Sequence, residues 1–484
     1  MGACESDKFM KHLPFLEEEI SPVDKKVPKI TLNAYTETGR EGSTIPVLKQ
    51  RSYTGIKVIP SALANTPCTT LGIVGILDEF NATLGKSYRL DSHPTLHSFL
   101  NSCIERNYDF GTAYAHFRYN SSWVRTSTNL HKGEVKDGEM RRDAVIHDGR
   151  IIRRKSVPPR RIWDLCANRV VPYWVASRGS PMSVRVEGIS HAWMDANDRR
   201  DVWTPINGCE WPVPLPNDAD LDLIRIELLN LLGVLGVEYV WLDVLCLRQK
   251  YDFREDYREE DLRGEALRID EWKLDVPTIG YVYESSVQMV CYLCGLGQPL
   301  SWAPAYLVGE RSWFNRAWTL QETRDRYQHQ AIIAGETSDD NTRTMFRNKL
   351  ESLRDVFSAK DIILQMRTRV STNPIDRVAG LVYRLRLRYI TIYDANQSEE
   401  SAWEQLVNAM MYSFRADLFF CYPEPGDGRK YWRPSCTQVM DTTFPTDPSI
   451  WSSITGFLQN NENRSNFFSA AQYSNSPSWI PPNA

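Results

Sequence analysis

Hydrophobic residues in the middle of the chain follow two spacings, which predict alternating strands and helices. Residues 183–190 (SVRVEGIS) are typical of a strand, and the runs 238–247 (EYVWLDVLCL) and 287–293 (VQMVCYL) are short and mostly apolar, as in strands covered on both faces. A helix is predicted over 220–235, because apolar residues recur there at helical spacing, and a second helical segment covers about 270–284. This alternation predicts an α/β fold with a parallel sheet flanked by helices.

Polar residues that follow parallel strands collect at one edge of a sheet, where ligands bind. Ser190 and His191 come at the end of the first predicted strand, and Asp243 lies near the end of the second. Glu322 ends the segment 311–322 (RSWFNRAWTLQE), which is expected to begin a helix beside the sheet. These four residues form a candidate site.

The pattern changes on both sides of this region. The mixed composition of the first residues predicts a flexible leader, and the basic run at 141–161 indicates either a solvated linker or a nuclear-localisation or phosphate-binding patch. We therefore divide the chain into a leader (1–50), an N-terminal accessory region containing the basic run (51–158), the α/β region (159–335, core 183–323), a mostly helical C-terminal region (336–430) and an irregular tail (431–484).

Two features predict helices in the C-terminal region. Ser401 and Glu404 fit a capping box, which predicts a helix beginning there. A second helix is predicted after Asn373 and Pro374, from an apolar stripe that consists of Ile375, Val378, Val382 and Leu385.

Composition and charge favour a globular protein that does not bind nucleic acid. The 484 residues are 42% hydrophobic and 24% charged, which is typical of globular proteins. With 57 basic and 61 acidic residues, the net charge of −4 gives no overall attraction to nucleic acid, so we expect no nucleic-acid partner. The 10 scattered cysteines and the absence of a signal-like apolar start favour reduced thiols and a cytoplasmic location.

The N-terminus, MGACESDKFM, offers one route to a membrane. Gly2 follows the initiator Met and Ser6 fills the small hydroxyl position of a myristoylation pattern, while Cys4 is a candidate for a second acyl chain. Two chains would anchor the protein where one binds reversibly. We expect membrane association only through such acylation, because no transmembrane span is visible.

Motifs for common cofactors and metals are missing. The chain has no phosphate-binding loop and no dinucleotide fingerprint. Cys291 and Cys294 form a lone C-x-x-C inside an apolar strand, which favours buried thiols over zinc. The sequence therefore predicts neither a resident cofactor nor a metal.

Three segments, ISHAW (189–193), EYVWLDVLCLRQ (238–249) and RSWFNRAWTLQE (311–322), resemble in order and separation the signature blocks of the fungal heterokaryon-incompatibility (HET) domain. Flanking segments, including RRIWDLCANRVVPYW upstream and NPIDRVAGLVYRLR downstream, resemble one subgroup of HET-like proteins. The resemblance covers about Pro159 to Met440.

This resemblance implies a fold similar to the Toll/interleukin-receptor (TIR) domain, a flavodoxin-like parallel sheet with helices on both faces. It also implies a role in non-self recognition and programmed cell death, with protein partners and self-association. Some TIR domains hydrolyse NAD with a glutamate in a motif resembling Ser-x-Trp-Cys-x-x-Glu. Here RAWTLQE (316–322) places Trp318 and Glu322 at comparable spacing, with Thr319 in the cysteine position.

The resemblance thus makes Glu322 the candidate catalytic residue and NAD a candidate substrate rather than a cofactor. A carboxylate can stabilise the oxocarbenium character that develops when the ribosyl bond breaks. Ser190 and Asp243 would line the pocket, Trp193 or Trp318 would stack on a ring of the substrate, and His191 would assist proton transfer.

Two alternatives stay open. In the first, these residues are structural rather than catalytic. Asp243 and Glu322 would then cap helices or pair with Arg248 and Arg316, and Trp318 would lie in a core. In the second, the protein is a non-enzymatic adaptor that acts through protein interactions. A fold shared with an enzyme does not by itself imply that enzyme's activity.

Overall fold

The computed structural model describes residues 27–441 except for short segments at 42–43, 45–50, 92–93, 119–126, 147–148, 154, 178–183, 251–258, 323–329, 336–338, 354–357, 386, 422–424, 429–430 and 432. The candidate acylation residues Gly2 and Cys4 lie outside the described residues, as does most of the predicted C-terminal tail.

The strands form one large sheet and three small ones. In chain order they are β1 Lys29–Asn33, β2 Ser52–Ile56, β3 Val145–Ile146, β4 Ile151–Ile152, β5 Arg161–Asp164, β6 Arg169–Pro172, β7 Val186–His191, β8 Arg199–Val202, β9 Val213–Pro216, β10 Tyr239–Leu242, β11 Gln288–Tyr292, β12 Gln330–Ile333 and β13 Ile390–Thr391.

Helices surround these strands. They are α1 Ala34–Thr38, α2 Ser61–Ala64, α3 Cys68–Leu84, α4 Pro94–Glu105, α5 Phe110–Phe117, α6 Ser127–Ala144, α7 Tyr173–Ala176, α8 Leu221–Leu232, α9 Asp243–Cys246, α10 Glu259–Asp275, α11 Ile279–Ser285, α12 Pro304–Leu307, α13 Thr319–Glu322, α14 Asp340–Ser352, α15 Ala359–Arg367, α16 Ile375–Ala379, α17 Glu399–Ala409, α18 Tyr412–Cys421 and α19 Cys436–Asp441. Short 3-10 helices cover Ala196–Asp198, Pro205–Asn207, Gly233–Leu235 and Trp313–Asn315.

The main sheet has six strands in the order β12-β11-β7-β10-β5-β6. Strands β12, β11, β7 and β10 are parallel, whereas β5 is antiparallel to β10 and β6 is antiparallel to β5. The predicted parallel α/β sheet is therefore confirmed for its central strands. The chain passes from β7 to β10 on one side and then to β11 on the other, which makes the carboxyl end of β7 the switch point where ligands bind in open α/β sheets.

The second of the three predicted strands is shorter in the structure than the apolar run that predicted it. It was expected over 238–247, but β10 ends at Leu242. The Asp243 carboxylate accepts a hydrogen bond of 2.7 Å from the Val244 N–H and starts the single turn α9. A carboxylate that can bond the backbone in this way competes with the strand ladder.

The helix predicted over 220–235 is present as α8 followed by the 3-10 turn. The Asp220 side chain caps it by accepting from the Asp222 and Leu223 N–H groups. Gly236, with φ 69°, ends the turn in the left-handed conformation that glycine adopts without strain.

The described residues form two large hydrophobic cores and a small contact between Ala34 and Leu223. The sheet core packs the main sheet against α3, α5 and α8 and includes Phe80, Trp163 and Val290. The C-terminal core is built around α15–α19, but it also takes in Leu274 and Leu320 from the region of the main sheet. The segment that carries Glu322 is therefore packed against the helical region.

The regions outside the main sheet are only partly as expected. Residues 29–38 of the predicted leader form β1 and α1, and β1 pairs with β2. In the basic run, Arg141 pairs with Asp137, Arg160 with Asp275, and Arg161 with Glu271, all at 2.6–2.8 Å. These three arginines are paired within the fold rather than solvated, because buried charges need partners.

The C-terminal region is helical, with the two-residue strand β13 among its described residues. The predicted apolar stripe of α16 and the turns after it is buried. The predicted capping box is wrong, because α17 begins at Glu399 and its N-cap is Ser398, whose hydroxyl accepts from the Ser401 N–H. Within the described part of the chain, no helix is both long and apolar enough to cross a bilayer.

Candidate functional site

The carboxyl end of β7 brings together the polar residues that the sequence singled out. Ser190 and His191 are consecutive, so their side chains leave opposite faces of the strand. Ser190 bonds Glu322, and His191 bonds Asp243 at 2.8 Å. Residues from β7, from the start of α9 and from α13 therefore meet at one edge of the sheet, as expected for the switch point.

Ser190 orients the Glu322 carboxyl. The Ser190 hydroxyl donates to Oε2 of Glu322 and accepts a hydrogen bond of 2.7 Å from the indole Nε1 of Trp313. Trp313 is completely buried and has a single N–H, so Ser190 is the acceptor in that bond, and the ionised Glu322 carboxylate can only accept, so Ser190 is the donor to it. The serine proton consequently points at the carboxylate.

Two short backbone turns in the third motif, residues 311–322, set the location of Glu322. A 3-10 turn begins at Trp313, and Glu322 ends the single helical turn α13. The Thr319 hydroxyl lies 2.6 Å from the carbonyl oxygen of Trp313 and 2.8 Å from that of Arg316. The helix expected from this segment is thus two short turns, which the hydrogen bonds of the Thr319 hydroxyl hold together.

Arg369 supports the same turn from the C-terminal core. Its Nη1 donates to the Arg316 carbonyl oxygen at 2.7 Å and to the Thr319 hydroxyl at 2.6 Å. The Nε and Nη2 atoms are buried without a hydrogen-bond partner in the described part of the chain. Burial lowers the pKa of Arg369 to about 9, although the nearby Glu322 carboxyl favours the charged guanidinium.

Burial raises the pKa of Glu322 from 4.5 to about 7, and the charge on Asp243 acts in the same direction. The hydrogen bond from Ser190 and the positive charges of His191 and Arg369 oppose the rise. A pKa near neutral pH suits a group that accepts a proton in a reaction.

His191 is held by oxygen atoms at both ring nitrogens. Nε2 lies 2.8 Å from Asp243 Oδ1, and Nδ1 lies 3.2 Å from the Ala192 carbonyl oxygen. Burial alone would lower the pKa of His191, but the Asp243 carboxylate and the two hydrogen bonds outweigh burial and raise it. Two acceptors favour the imidazolium form, in which both nitrogens donate.

The two candidate tryptophans lie in different surroundings. The Trp193 ring is partly buried and stacks on the His191 ring with centroids 5.7 Å apart. Trp318 instead donates to Asp376 and packs 6.2 Å from the Tyr393 ring at the C-terminal core. Its described contacts are those of a core residue.

The structure also tests the ion pairs of Asp243 and Glu322 with arginines that the sequence left open. Arg248 pairs with Glu210 at 2.7 Å, not with Asp243. Asp243 is the first residue of α9, whose N-cap is Leu242 without a side-chain hydrogen bond. The Asp243 Oδ1 atom bonds both the Val244 N–H and the His191 ring. Among the described contacts, Glu322 makes no ion pair with Arg316.

Sequence reasoning missed two residues of this site. Trp313 lies in the third motif, so the motif itself was a signal, but nothing in the sequence says that its indole would reach Ser190. Arg369 follows α15, 47 positions after Glu322 in the chain, and no local pattern distinguishes it from other arginines. Only the packing of the helical region against α13 brings it there.

The site consists of a serine-held carboxyl, the hydrogen-bonded pair of His191 and Asp243, and a partly exposed aromatic ring. The described residues contain no group of three or more His, Cys, Asp or Glu side chains arranged to hold a metal ion. Cys291, in β11, and Cys294, two residues beyond its end, are both buried, as expected from the apolar run that contains them. No family model matches the chain, and no match was found among curated proteins or solved structures.

Proposed function

We propose that this chain is a HET-domain effector of programmed cell death in non-self recognition, whose TIR-like α/β region hydrolyses NAD with Glu322 as the catalytic residue. The observation that carries the proposal is the Glu322 carboxyl, held by Ser190 at the carboxyl end of β7 with a pKa of about 7. The six-stranded, mainly parallel sheet and the resemblance of the three motifs support the TIR-like assignment.

The chemistry follows from the charges at this edge. The bond between the ribose C1′ and the nicotinamide nitrogen breaks, and its electron pair neutralises the positively charged ring. The Glu322 carboxylate stabilises the positive charge that develops on the ribose. Water then adds to C1′ and gives up a proton, which Glu322 accepts, so the products are nicotinamide, ADP-ribose and one proton released to solvent.

His191 and Trp193 have supporting roles in this proposal. The imidazolium at His191 limits the rise in the pKa of Glu322, because its positive charge favours the carboxylate. The stacked Trp193 ring offers an apolar face beside the reacting bond.

The test compares the full chain with Glu322→Gln. This substitution keeps the size of the side chain and removes its charge. Loss of the carboxylate is expected to lower NAD hydrolysis by about 100-fold or more. Nicotinamide release should be measured at several protein concentrations, because activity that requires self-association appears only at high concentration.

Glu351→Gln is the matched control, since Glu351 is exposed on α14. Its rate should equal that of the unaltered chain. In cells, death accompanied by loss of NAD that requires Glu322 would support the enzyme. Death without loss of NAD, unaffected by Glu322→Gln, would contradict the enzyme and favour the adaptor function.

A further inference from the structure

Residues 368–370, which follow α15, lie alongside the third motif. The backbone of Val370 forms a parallel bridge with that of Arg316. The Val370 N–H donates to the Asn315 carbonyl oxygen at 2.6 Å, and the Val370 carbonyl oxygen accepts from the Ala317 N–H at 3.0 Å. The C-terminal region is therefore joined to the candidate site by backbone hydrogen bonds as well as by apolar packing.

The Arg369 side chain adds a second link between the same two segments. Its Nη1 donates to the Arg316 carbonyl oxygen at 2.7 Å and to the Thr319 hydroxyl at 2.6 Å. The hydroxyl oxygen of Thr319 lies in turn 2.6 Å from the Trp313 carbonyl oxygen. One guanidinium nitrogen therefore holds the first residue of the turn that Glu322 ends.

These bonds close a ring that contains Glu322. Thr319 begins α13 and Glu322 ends it, so one helical turn of backbone connects them. On the other side of the ring, Trp313 bonds Ser190, and Ser190 bonds the carboxyl. The carboxyl is consequently held between two supports, the Ser190 hydroxyl and the turn that Arg369 fixes.

Stability alone does not explain a guanidinium at this position. Nε and Nη2 of Arg369 are buried without a hydrogen-bond partner among the described residues, and burial and the charge of Arg384 both disfavour the guanidinium. Replacing buried charged groups by apolar side chains of similar size is often neutral or stabilising. The cost of keeping this charge indicates a role at the neighbouring site.

The charge of Arg369 also acts on the ionisation of Glu322. It favours the carboxylate, as the positive charge of His191 does, whereas burial and the charge of Asp243 favour the protonated form. The bonds of Arg369 thus fix the turn that carries the carboxyl, and its charge helps to keep that carboxyl ionised.

We propose that Arg369 is a positioning residue for Glu322: through Thr319 it fixes the turn that holds the carboxyl against Ser190, and it makes the site depend on the C-terminal region. The inference rests on the proposed function and names the element that controls its site. Arg369 acts through Thr319 rather than by touching the substrate, so its loss should affect kcat more than KM.

The kinetics of NAD hydrolysis by the full chain test this role. Arg369→Met should lower kcat about tenfold or more and change KM by less than about twofold, because a misplaced catalytic group slows the chemical step. The rising limb of kcat/KM against pH should also move to higher pH, since the carboxylate loses a favourable positive charge.

Arg367→Met is the matched control. Arg367 ends α15, and its Nε donates to the Val439 carbonyl oxygen of the C-terminal core, so its loss should leave kcat and the limb unchanged. Arg369→Lys keeps the charge and should leave the limb in place while it recovers part of kcat. Thr319→Val removes the hydroxyl alone. Its loss of kcat should not add to that of Arg369→Met, because both substitutions break the same link.

Three kinetic results would overturn the inference. They are equal losses of kcat in Arg369→Met and Arg367→Met, a rise in KM without a fall in kcat, and additive losses when Thr319→Val and Arg369→Met are combined. Thermal unfolding checks that each variant folds. If Arg369→Met does not fold, Arg369→Lys and Thr319→Val carry the test.

Urea unfolding separates this inference from the proposed function, because it needs no activity. The stability difference between the unaltered chain and Glu322→Gln, compared at about pH 5 and about pH 8, reports the pKa of Glu322. A larger pH dependence of that difference after Arg369→Met, without any NAD hydrolysis, would leave the role of Arg369 standing and refute the enzyme. NAD hydrolysis that Arg369→Met leaves unchanged, with the same pH dependence, would do the reverse.

Discussion

The hydroxyl of Ser190 decides how Glu322 ionises. It accepts the Trp313 indole N–H and donates its own proton to the ionised carboxylate. This bond stabilises the charged form and opposes the effect of burial. Without it, the carboxyl would hold its proton to a higher pH.

Ser190→Ala should therefore raise the pKa of Glu322 above about 7. If the carboxylate is the active form, the rising limb of kcat/KM against pH for NAD hydrolysis moves to higher pH. The rate is measured from about pH 5.5 to about pH 9. Ser352→Ala, which removes an exposed hydroxyl of α14, is the control, and a limb that stays in place in Ser190→Ala would contradict the role of the hydrogen bond.

Glu322 also makes the stability of the protein depend on pH. Its pKa is about 7 in the folded chain against 4.5 for an exposed glutamate, so folding favours the protonated form. The stabilisation is complete below about 4.5 and is lost as the pH rises through about 7. The raised pKa of His191 acts in the same direction, because the imidazolium loses its charge as the pH rises.

Glu322→Gln removes this dependence, since glutamine does not titrate. The variant should gain stability relative to the unaltered chain between about pH 5 and about pH 8, by up to about 3 kcal/mol. Urea unfolding at the two pH values measures the difference, in which the contribution of His191 largely cancels. An equal stability difference at both values would show that the carboxyl titrates normally.

At the scale of elements, the packing of α11 against β7 positions the edge of the sheet. A Cβ at Gly188 would lie 2.7 Å from the Tyr283 ring, and the Tyr283 hydroxyl donates to the Ile189 carbonyl oxygen at 3.2 Å. The strand needs glycine here because an aromatic ring lies directly on its backbone.

Gly188→Ala is accordingly expected to destabilise the fold by about 1–3 kcal/mol, the usual cost of overpacking a core. Denaturant unfolding measures the loss. Gly138→Ala is the control: Gly138 lies inside α6, where the nearest contact of the new Cβ is the flexible Arg142 side chain at 3.3 Å, and a stabilisation of about 0.5–1 kcal/mol is expected. Equal effects at the two sites would contradict the close packing at β7.

Local patterns predicted some elements and not others. The α8 helix and the 3-10 turn after it follow the apolar spacing, and capping chemistry predicts that Asp220 starts α8 and Gly236 ends the turn. The start of α17 was misplaced, because Ser398 and Ser401 are equally suited to capping and the sequence alone does not choose between them. In the folded chain, Glu399 and Glu400 of the first turn bond Arg377 and the Cys436 N–H, contacts that no local pattern predicts.

For the whole molecule, the main sheet and the helical C-terminal region depend on each other. The C-terminal core takes in Ala317 and Leu320 from the segment before Glu322, and Arg369 bonds the same segment. Strand β13 also completes the small sheet of β3 and β4. The candidate site therefore needs residues from both sides of the boundary suggested at position 335.

A chain that ends at residue 335 is expected to lose its cooperative unfolding transition and to bind a hydrophobic dye, because it exposes the part of the C-terminal core that it keeps. Thermal unfolding and dye fluorescence measure this. Coexpression with residues 336–484 is the control and should restore the transition. A truncated chain that unfolds as sharply as the full one would contradict the mutual dependence.

The sequence by itself determined the parallel α/β sheet, the ends of α8 and the edge at which Ser190, His191, Asp243 and Glu322 meet. Apolar periodicity acts within each element, and the carboxyl ends of parallel strands share one edge. The tertiary structure alone decided the partners of these groups. Trp313 reaches Ser190, and Arg369 reaches the turn before Glu322, through contacts between segments distant in the chain, which no local pattern encodes.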